Sequence, residues 1–162
     1  MLCLEKATLI NMEVQIKLLD PRLRNGVFDV PQYSTSGSAA MDLRAMVEEN
    51  IAVRPTERIL IPTGIAIHIE RKVYAGLIFP RSGLGHDRGI ILGNSAGLID
   101  SDYQGEIKVS LWNTGFKLFE ISPGDRIAQL MILPVQQVKF AVVQSFENSE
   151  RGDGGFGSTG RT

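Results

Sequence analysis

The chain has 162 residues, of which 43% are hydrophobic, and its formal net charge at pH 7 is −1. This length favours one domain with its own hydrophobic core, and the near-zero charge argues against a protein that tracks along duplex nucleic acid. The single Cys3 excludes an internal disulfide and favours a reducing compartment, here the cytoplasm. No apolar run approaches the about 20 residues that span a bilayer, so we expect no membrane partner.

Hydrophobic residues recur with a period of two along most of the chain, which is typical of β-strands. In chain order the predicted strands are residues 12–20, 57–62, 64–70, 74–80, 88–94, 106–112 and 138–143. Residues 126–134 (RIAQLMILP) fit either a short helix or a strand. The strands are short and separated by Gly, Pro, Asn and Asp, so the sequence predicts an all-β fold, an antiparallel sandwich or barrel.

The domain organisation follows from where apolar residues are concentrated. One β domain is predicted over residues 12–147, preceded by an extension, residues 1–11, of unassigned role. Apolar residues almost vanish in residues 148–162, where glycine is frequent, so this segment is predicted to be a mobile arm.

Two polar islands interrupt the first half of the predicted sheet. In "SAAMDLRA", Asp42 lies inside an apolar stretch, where it either caps a local element or contacts the waters of a metal ion. In "FPRSGLG", Pro80 ends a strand, and Arg81, Ser82 and Gly83 are predicted to form a turn. Such a turn offers a cation, a hydroxyl and free N–H groups to a phosphate, although an ordinary glycine turn fits the same residues.

Two further islands lie in the second half. Two apolar strands flank "NSAG", which predicts a hairpin with Asn94 in its turn and backbone groups that read the edge of a flat ligand. Asp100 follows Leu98 and Ile99, whose apolar side chains favour a partly buried carboxylate suited to a general base; capping of a turn is the alternative. Tyr103 either packs over a ligand or fills the core, and "PGDRIAQL" places Arg126 and Gln129 among apolar residues.

The last island is the arm itself, "RGDGGFGSTG" at residues 151–160. Its free backbone N–H groups, hydroxyls and Arg151 can surround an anion, and Phe156 can stack on a base. Its glycine spacing is similar to that of a P-loop, but Ser158 occupies the lysine position and no helix can follow, which excludes that motif. The alternative is a disordered end with a chance phenylalanine.

In this order the islands resemble the five motifs of the trimeric dUTPases, and the resemblance covers residues 14–160. It implies a distorted, jelly-roll-like β-sandwich that assembles as a homotrimer with three active sites between subunits. The implied reaction is the hydrolysis of dUTP to dUMP and pyrophosphate with Mg²⁺, which keeps uracil out of DNA and supplies dUMP for thymidylate synthesis. The implied Mg²⁺ is held mainly by the substrate phosphates, and its waters meet Asp42.

The resemblance also implies a role for each site residue. Asp100 would activate the attacking water, Asn94 and the backbone from Leu98 through Ile99 to Asp100 would read uracil, and Tyr103 would pack under deoxyribose. The phosphates would be held by Arg81, Ser82, Gly83 and Gln129, and Lys108 would be another substrate contact. The arm would close over the site, with Phe156 covering uracil and the γ-phosphate bound by Arg151, Ser158 and Thr159. Gly157 of the arm would also belong to the substrate-binding residues.

Two alternatives remain open from the sequence. One is a dCTP deaminase, which shares the fold and the trimer but activates water at the base rather than at phosphorus. The other is a nucleotide-binding regulatory module that binds dUTP without turnover.

Overall fold

The computed structural model describes residues 12–147, 149 and 152, and within them the regular secondary structure is mostly short strands. The eleven strands are β1 (Gln15–Leu18), β2 (Met41–Arg44), β3 (Ile51–Val53), β4 (Arg58–Pro62), β5 (Ile65–His68), β6 (Tyr74–Pro80), β7 (Ile90–Leu92), β8 (Gly97–Ile99), β9 (Lys108–Asn113), β10 (Phe119–Ile121) and β11 (Arg126–Pro134). Two short helices, α1 (Pro21–Arg24) and α2 (Ser82–Arg88), interrupt them. The predicted all-β fold is confirmed, and residues 126–134 form a strand.

The strands form four antiparallel sheets, of which the largest has the order β2-β11-β6-β8. Strand β11 is the longest, and seven of its residues pair with β6, from Ala128 opposite Pro80 to Pro134 opposite Tyr74. The remaining sheets are β4-β9-β7, β1-β5 and β3-β10. This pairing leaves β8 at one edge of the four-stranded sheet.

The hydrophobic core forms where inward-facing residues of the sheets meet. In β9, Val109, Leu111 and Asn113 are buried while the residues between them are more exposed, which is the alternation expected of a strand with one buried face. Burying an aliphatic side chain of this kind contributes about 1.5–3 kcal/mol. The other large side chains in the core that are less than 2% exposed are Leu43, Val53, Ile61, Ile65, Ile69, Ile107, Ile121 and Ile127.

Helix α1 begins at a carboxylate cap. Asp20 accepts a hydrogen bond from the backbone N–H of Arg22 at 2.8 Å and also pairs with the Arg22 guanidinium. The side-chain hydrogen bond from Arg22 lowers the pKa of the Asp20 carboxyl below its usual value. The cap therefore stabilises the fold in the ionised form of Asp20.

The predicted strand at residues 138–143 is wrong for the single chain. These residues have no strand partner in the part of the chain that the structure describes, and Val138, Phe140 and Val142 are 67%, 94% and 100% exposed. The alternation of large apolar residues is present, but no sheet within the described part of the chain covers it. Separately, no helix among the described residues has the length and apolar character needed to cross a bilayer.

Candidate active site

A carboxylate surrounded by donors lies on the four-stranded sheet. Asp42 on β2 accepts hydrogen bonds from Arg81 Nε at 3.0 Å, from Arg126 Nη1 at 3.2 Å and from Gln129 Nε2 at 3.4 Å. Strand register brings these side chains together, because Gln129 is the cross-strand partner of Asp42 in β2 and of Phe79 in β6. Residues far apart in sequence are thus brought into one row.

This cluster can bind an anion. The Asp42 side chain is 16% exposed, whereas those of Arg81 and Arg126 are 29% and 49% exposed, so the guanidinium groups face a cleft of about 550 Å³. Two cations oppose one carboxylate, which leaves one positive charge in excess. Asp42 engages Arg81 through Nε, and the two Nη groups of Arg81 make no hydrogen bond within the described residues. A guanidinium held in this way can present its fork to a phosphate.

The segment after β6 differs from its prediction. A turn was predicted at residues 81–83, but Arg81 caps helix α2 and Ser82 and Gly83 begin it. The helix has only seven residues, so it contains few positions at which glycine weakens it. It ends at Gly89, which adopts the left-handed conformation with a φ of 68°. Ser82 and Gly83 are exposed, and the N–H groups of this first turn have no helical acceptor.

A second cleft, of about 460 Å³, brings together six of the residues predicted to contact the substrate. Its floor is the edge strand β8, whose backbone groups that point away from β6 have no strand partner among the described residues. These groups can pair with the edge of a flat base. The predicted site residues that line the cleft are Asn94, Leu98, Ile99, Asp100, Tyr103 and Lys108.

Two expectations at this cleft are wrong. Strands β7 and β8 do not form the predicted hairpin, because β7 pairs with β9 and β8 pairs with β6. Residues 93–96 instead turn the chain from one sheet to another, with Ser95 at a φ of 64°. Asp100 is exposed rather than partly buried, because no other element among the described residues covers the end of β8.

Asp100 and Arg81 lie near opposite ends of β6, although Ile78 and Phe79, which line different clefts, are neighbours in that strand. Ile99 pairs with Gly76, so Asp100 is level with Ala75, whereas Arg81 lies six residues further along. At about 3.3 Å per strand residue, the backbone positions of Asp100 and Arg81 are about 20 Å apart along the strand direction. One phosphorus atom therefore cannot contact Asp100 and Arg81 of the same chain.

The structure adds two residues to those predicted. The sequence pattern assigns no role to Arg126 or Glu106, yet both line the clefts. Arg126 and Asp42 are 84 positions apart in the sequence, so no local pattern predicts their contact. The predicted arm residues Arg151, Phe156, Gly157, Ser158 and Thr159 lie outside the described residues.

Comparison with known proteins decides the family. The dUTPase family model matches residues 27–160. The chain belongs to the dUTPase family. Deoxyuridine 5'-triphosphate nucleotidohydrolases from Herminiimonas arsenicoxydans and Stutzerimonas stutzeri are 55% and 56% identical to it, over 91% of this chain and 97% of theirs in both cases.

Solved dUTPases share the fold. The Staphylococcus bacteriophage 80alpha dUTPase with dUpNHpp matches with a TM-score of 0.78 and 27% identity, covering 91% of this chain and 98% of that one. A variant of the phage phi11 dUTPase of S. aureus, whose structure concerns coordination of a structural Mg(II) ion, matches with a TM-score of 0.72 and 22% identity over 84% and 99%. The jelly-roll-like β-sandwich of this dUTPase is therefore confirmed.

Proposed function

We propose that this dUTPase hydrolyses dUTP to dUMP and pyrophosphate through in-line attack of water on the α-phosphorus, at sites shared between copies of the chain. The main supporting observation is that six residues predicted to contact the substrate or activate water line one cleft at the edge strand β8. The reaction keeps uracil out of DNA and supplies dUMP for thymidylate synthesis, a role that fits the cytoplasm.

Recognition of uracil would begin at the backbone of β8. The edge strand offers N–H and C=O groups from Gly97 to Ile99, and the Asn94 side chain lies at the same cleft. Uracil presents alternating acceptors and a donor that such a row of groups can match, whereas the amino group of cytosine reverses the pattern. Tyr103, whose ring is 44% exposed, would pack against deoxyribose, where a 2′-hydroxyl would collide.

The chemical step requires a base for the attacking water. Asp100 is exposed in the cleft and free of ion pairs within the described residues, so its carboxylate can accept a proton from water. The resulting hydroxide would attack the α-phosphorus, and the bond to the bridging oxygen of pyrophosphate would break. Arg81, Ser82, Gly83 and Gln129 would bind the phosphates and stabilise the charge on the leaving group.

The arrangement of donors fits a metal carried by the substrate. Among residues 12–147, 149 and 152, no three acidic, histidine or cysteine side chains come together as metal ligands. Mg²⁺ prefers phosphate oxygens and water, and when bound it would offset the triphosphate charge. Both Asp42 oxygens already accept from arginine, so we assign Asp42 chiefly to orienting Arg81, with a contact to metal-bound water as its second role.

Two observations support shared sites in a homotrimer. The first is the separation of about 20 Å between Asp100 and Arg81 along β6, which one copy cannot bridge with one phosphate. The second is the exposed apolar segment 138–146, since Phe140 and Phe146 are 94% and 90% exposed and a neighbouring copy would cover them. Residues 148–162 would then continue as the arm that closes over a site.

A product assay tests the reaction. Purified protein is incubated with dUTP, UTP, dTTP or dCTP, with and without Mg²⁺, and pyrophosphate and ammonia are measured. We expect pyrophosphate from dUTP alone, faster with Mg²⁺. Ammonia from dCTP would instead indicate a deaminase, and tight dUTP binding without product would indicate a regulatory module.

A further inference from the structure

One acidic residue in the nucleoside cleft has no role in the reaction described above. Glu106 lies in the loop between β8 and β9, beside Tyr103 and Lys108, and its side chain is 26% exposed. A carboxylate next to a site for a polyanion opposes binding by its charge. Its structural contacts offer a reason for its presence there.

Glu106 makes three contacts, one with a turn outside the cleft and two with other residues of the cleft. Its Oε1 accepts a hydrogen bond from the backbone N–H of Gly64 at 3.1 Å, and its Oε2 lies 3.9 Å from Lys108 Nζ. Its backbone oxygen accepts a hydrogen bond from the Tyr103 hydroxyl at 3.0 Å. Two proposed substrate contacts therefore converge on one residue.

The turn that Glu106 binds is rigid. Gly64 has a φ of 67°, and a Cβ added there would lie 2.6 Å from Asp20 Cβ, so the backbone is closely packed. The Gly64 carbonyl accepts from Leu19 N at 2.7 Å, and the neighbouring Thr63 hydroxyl donates to Ile107 O at 2.6 Å. The turn therefore offers a fixed point from which a side chain can position the cleft wall.

The Tyr103 ring depends closely on the backbone next to Glu106. A Cβ added to Gly105 would lie 2.5 Å from Tyr103 Oη, so the ring lies directly against this glycine. A shift of residues 105–106 toward the ring would therefore displace it, and a shift away would lengthen the hydrogen bond from Tyr103 Oη to the Glu106 backbone oxygen. The height of Tyr103 above the cleft floor is then set by the same loop that Glu106 ties down.

We propose that Glu106 is a positioning residue for substrate selection: its carboxylate fixes the loop that places Tyr103 and Lys108, and so sharpens the discrimination between dUTP and UTP. The inference rests on the proposed function, because it takes Tyr103 as the residue under the sugar. Without the carboxylate, the N–H of the buried Gly64 loses its acceptor and Lys108 loses its partner. The loop then relaxes, and the space for a 2′-hydroxyl widens.

The test compares kcat/KM for dUTP and UTP in Glu106→Ala and Glu106→Gln. Because misplacing a positioning group by about 1 Å can cost about 10²-fold, we expect the dUTP/UTP ratio to fall about 10-fold in Glu106→Ala. Glutamine keeps an oxygen for Gly64 N–H, so Glu106→Gln should retain the ratio within about twofold. Loss of folded protein alone lowers both activities equally and leaves the ratio unchanged.

A matched control and a milder variant complete the experiment. Glu57 also accepts from a backbone N–H, that of Arg54 at 2.7 Å, but outside both clefts, so Glu57→Ala should keep the wild-type ratio. Glu106→Asp is the second variant, for use if Glu106→Ala does not fold. Its side chain is one methylene shorter, which moves the carboxylate away from the Gly64 N–H, so the dUTP/UTP ratio should also fall.

A wild-type ratio in both Glu106→Ala and Glu106→Asp, or an equal fall in Glu57→Ala, would overturn the positioning role. The proposed function is judged separately, by whether the wild-type protein hydrolyses dUTP and discriminates against UTP.

Discussion

Replacing Asp42 with asparagine tests whether the carboxylate orients the phosphate-binding arginine. The amide has nearly the same shape, but only one of its two polar atoms accepts hydrogen bonds, so Arg81 and Arg126 can no longer both be held. Hydrogen bonds to charged groups contribute about 1.5–3 kcal/mol. Because both guanidinium groups are partly exposed, solvent screening reduces this, and we expect a loss of about 1–2 kcal/mol in the free energy of unfolding.

The effect on activity should be larger than the effect on stability. A phosphate clamp displaced by about 1 Å can cost about 10²-fold, so kcat/KM for dUTP should fall 10- to 100-fold, measured by pyrophosphate release. Asp29→Asn is the matched control, because Asp29 pairs with Arg44 at 3.0 Å with a carboxylate that is 70% exposed and outside both clefts. That variant should stay within about twofold of wild type. Equal activity in the two variants would refute the orienting role of Asp42.

Two further predictions concern carboxylates of different kinds. Asp100→Asn should bind dUTP but lose about 10²–10⁴-fold in turnover, as expected for removal of a general base; turnover within a few-fold of wild type would show that another group activates water. The lowered pKa of Asp20 stabilises the fold above the unfolded carboxyl value of about 3.9, and this contribution is lost as pH falls through the lower folded value. The difference in unfolding free energy between wild type and Asp20→Asn should therefore be constant near neutral pH and shrink below about pH 4; a difference that grows in acid would contradict this linkage.

Local patterns predicted most of the strands because large apolar side chains alternate along them. The alternation in residues 64–70 and 106–112 corresponds to β5 and β9, whose buried side chains pack in one core. The same alternation in residues 138–143 predicts a strand, but these residues pair with no strand among residues 12–147. Hydrophobic periodicity indicates that one face of a strand is buried, but it does not indicate whether the same chain or another molecule buries it.

The candidate site was predicted residue by residue but not in its arrangement. Asn94, Asp100 and Tyr103 lie close in sequence, and the structure places them in one cleft. The contact of Asp42 with Arg126 depends on strand order across the sheet, which no local pattern encodes. The helix after Arg81 was missed because glycine at two of its seven positions favours a turn by intrinsic propensity.

The central claim is that two copies of the chain complete each site, and mixing two inactive variants tests it most directly. One chain carries Asp100→Ala and the other carries Arg81→Ala, so each homotrimer should be nearly inactive. If a site takes Asp100 from one copy and Arg81 from the next around a ring, every mixed trimer contains one complete site of three. Random reassociation at equal amounts then predicts about a quarter of wild-type activity, because about three quarters of the trimers are mixed.

The mixture is prepared by mild denaturation and reassociation, and native mass spectrometry confirms the mixed trimers before pyrophosphate release is measured. Activity near a quarter of wild type is the predicted result. Mixed trimers that are no more active than their parents would contradict the account, since Asp100 and Arg81 would then have to act within the same copy.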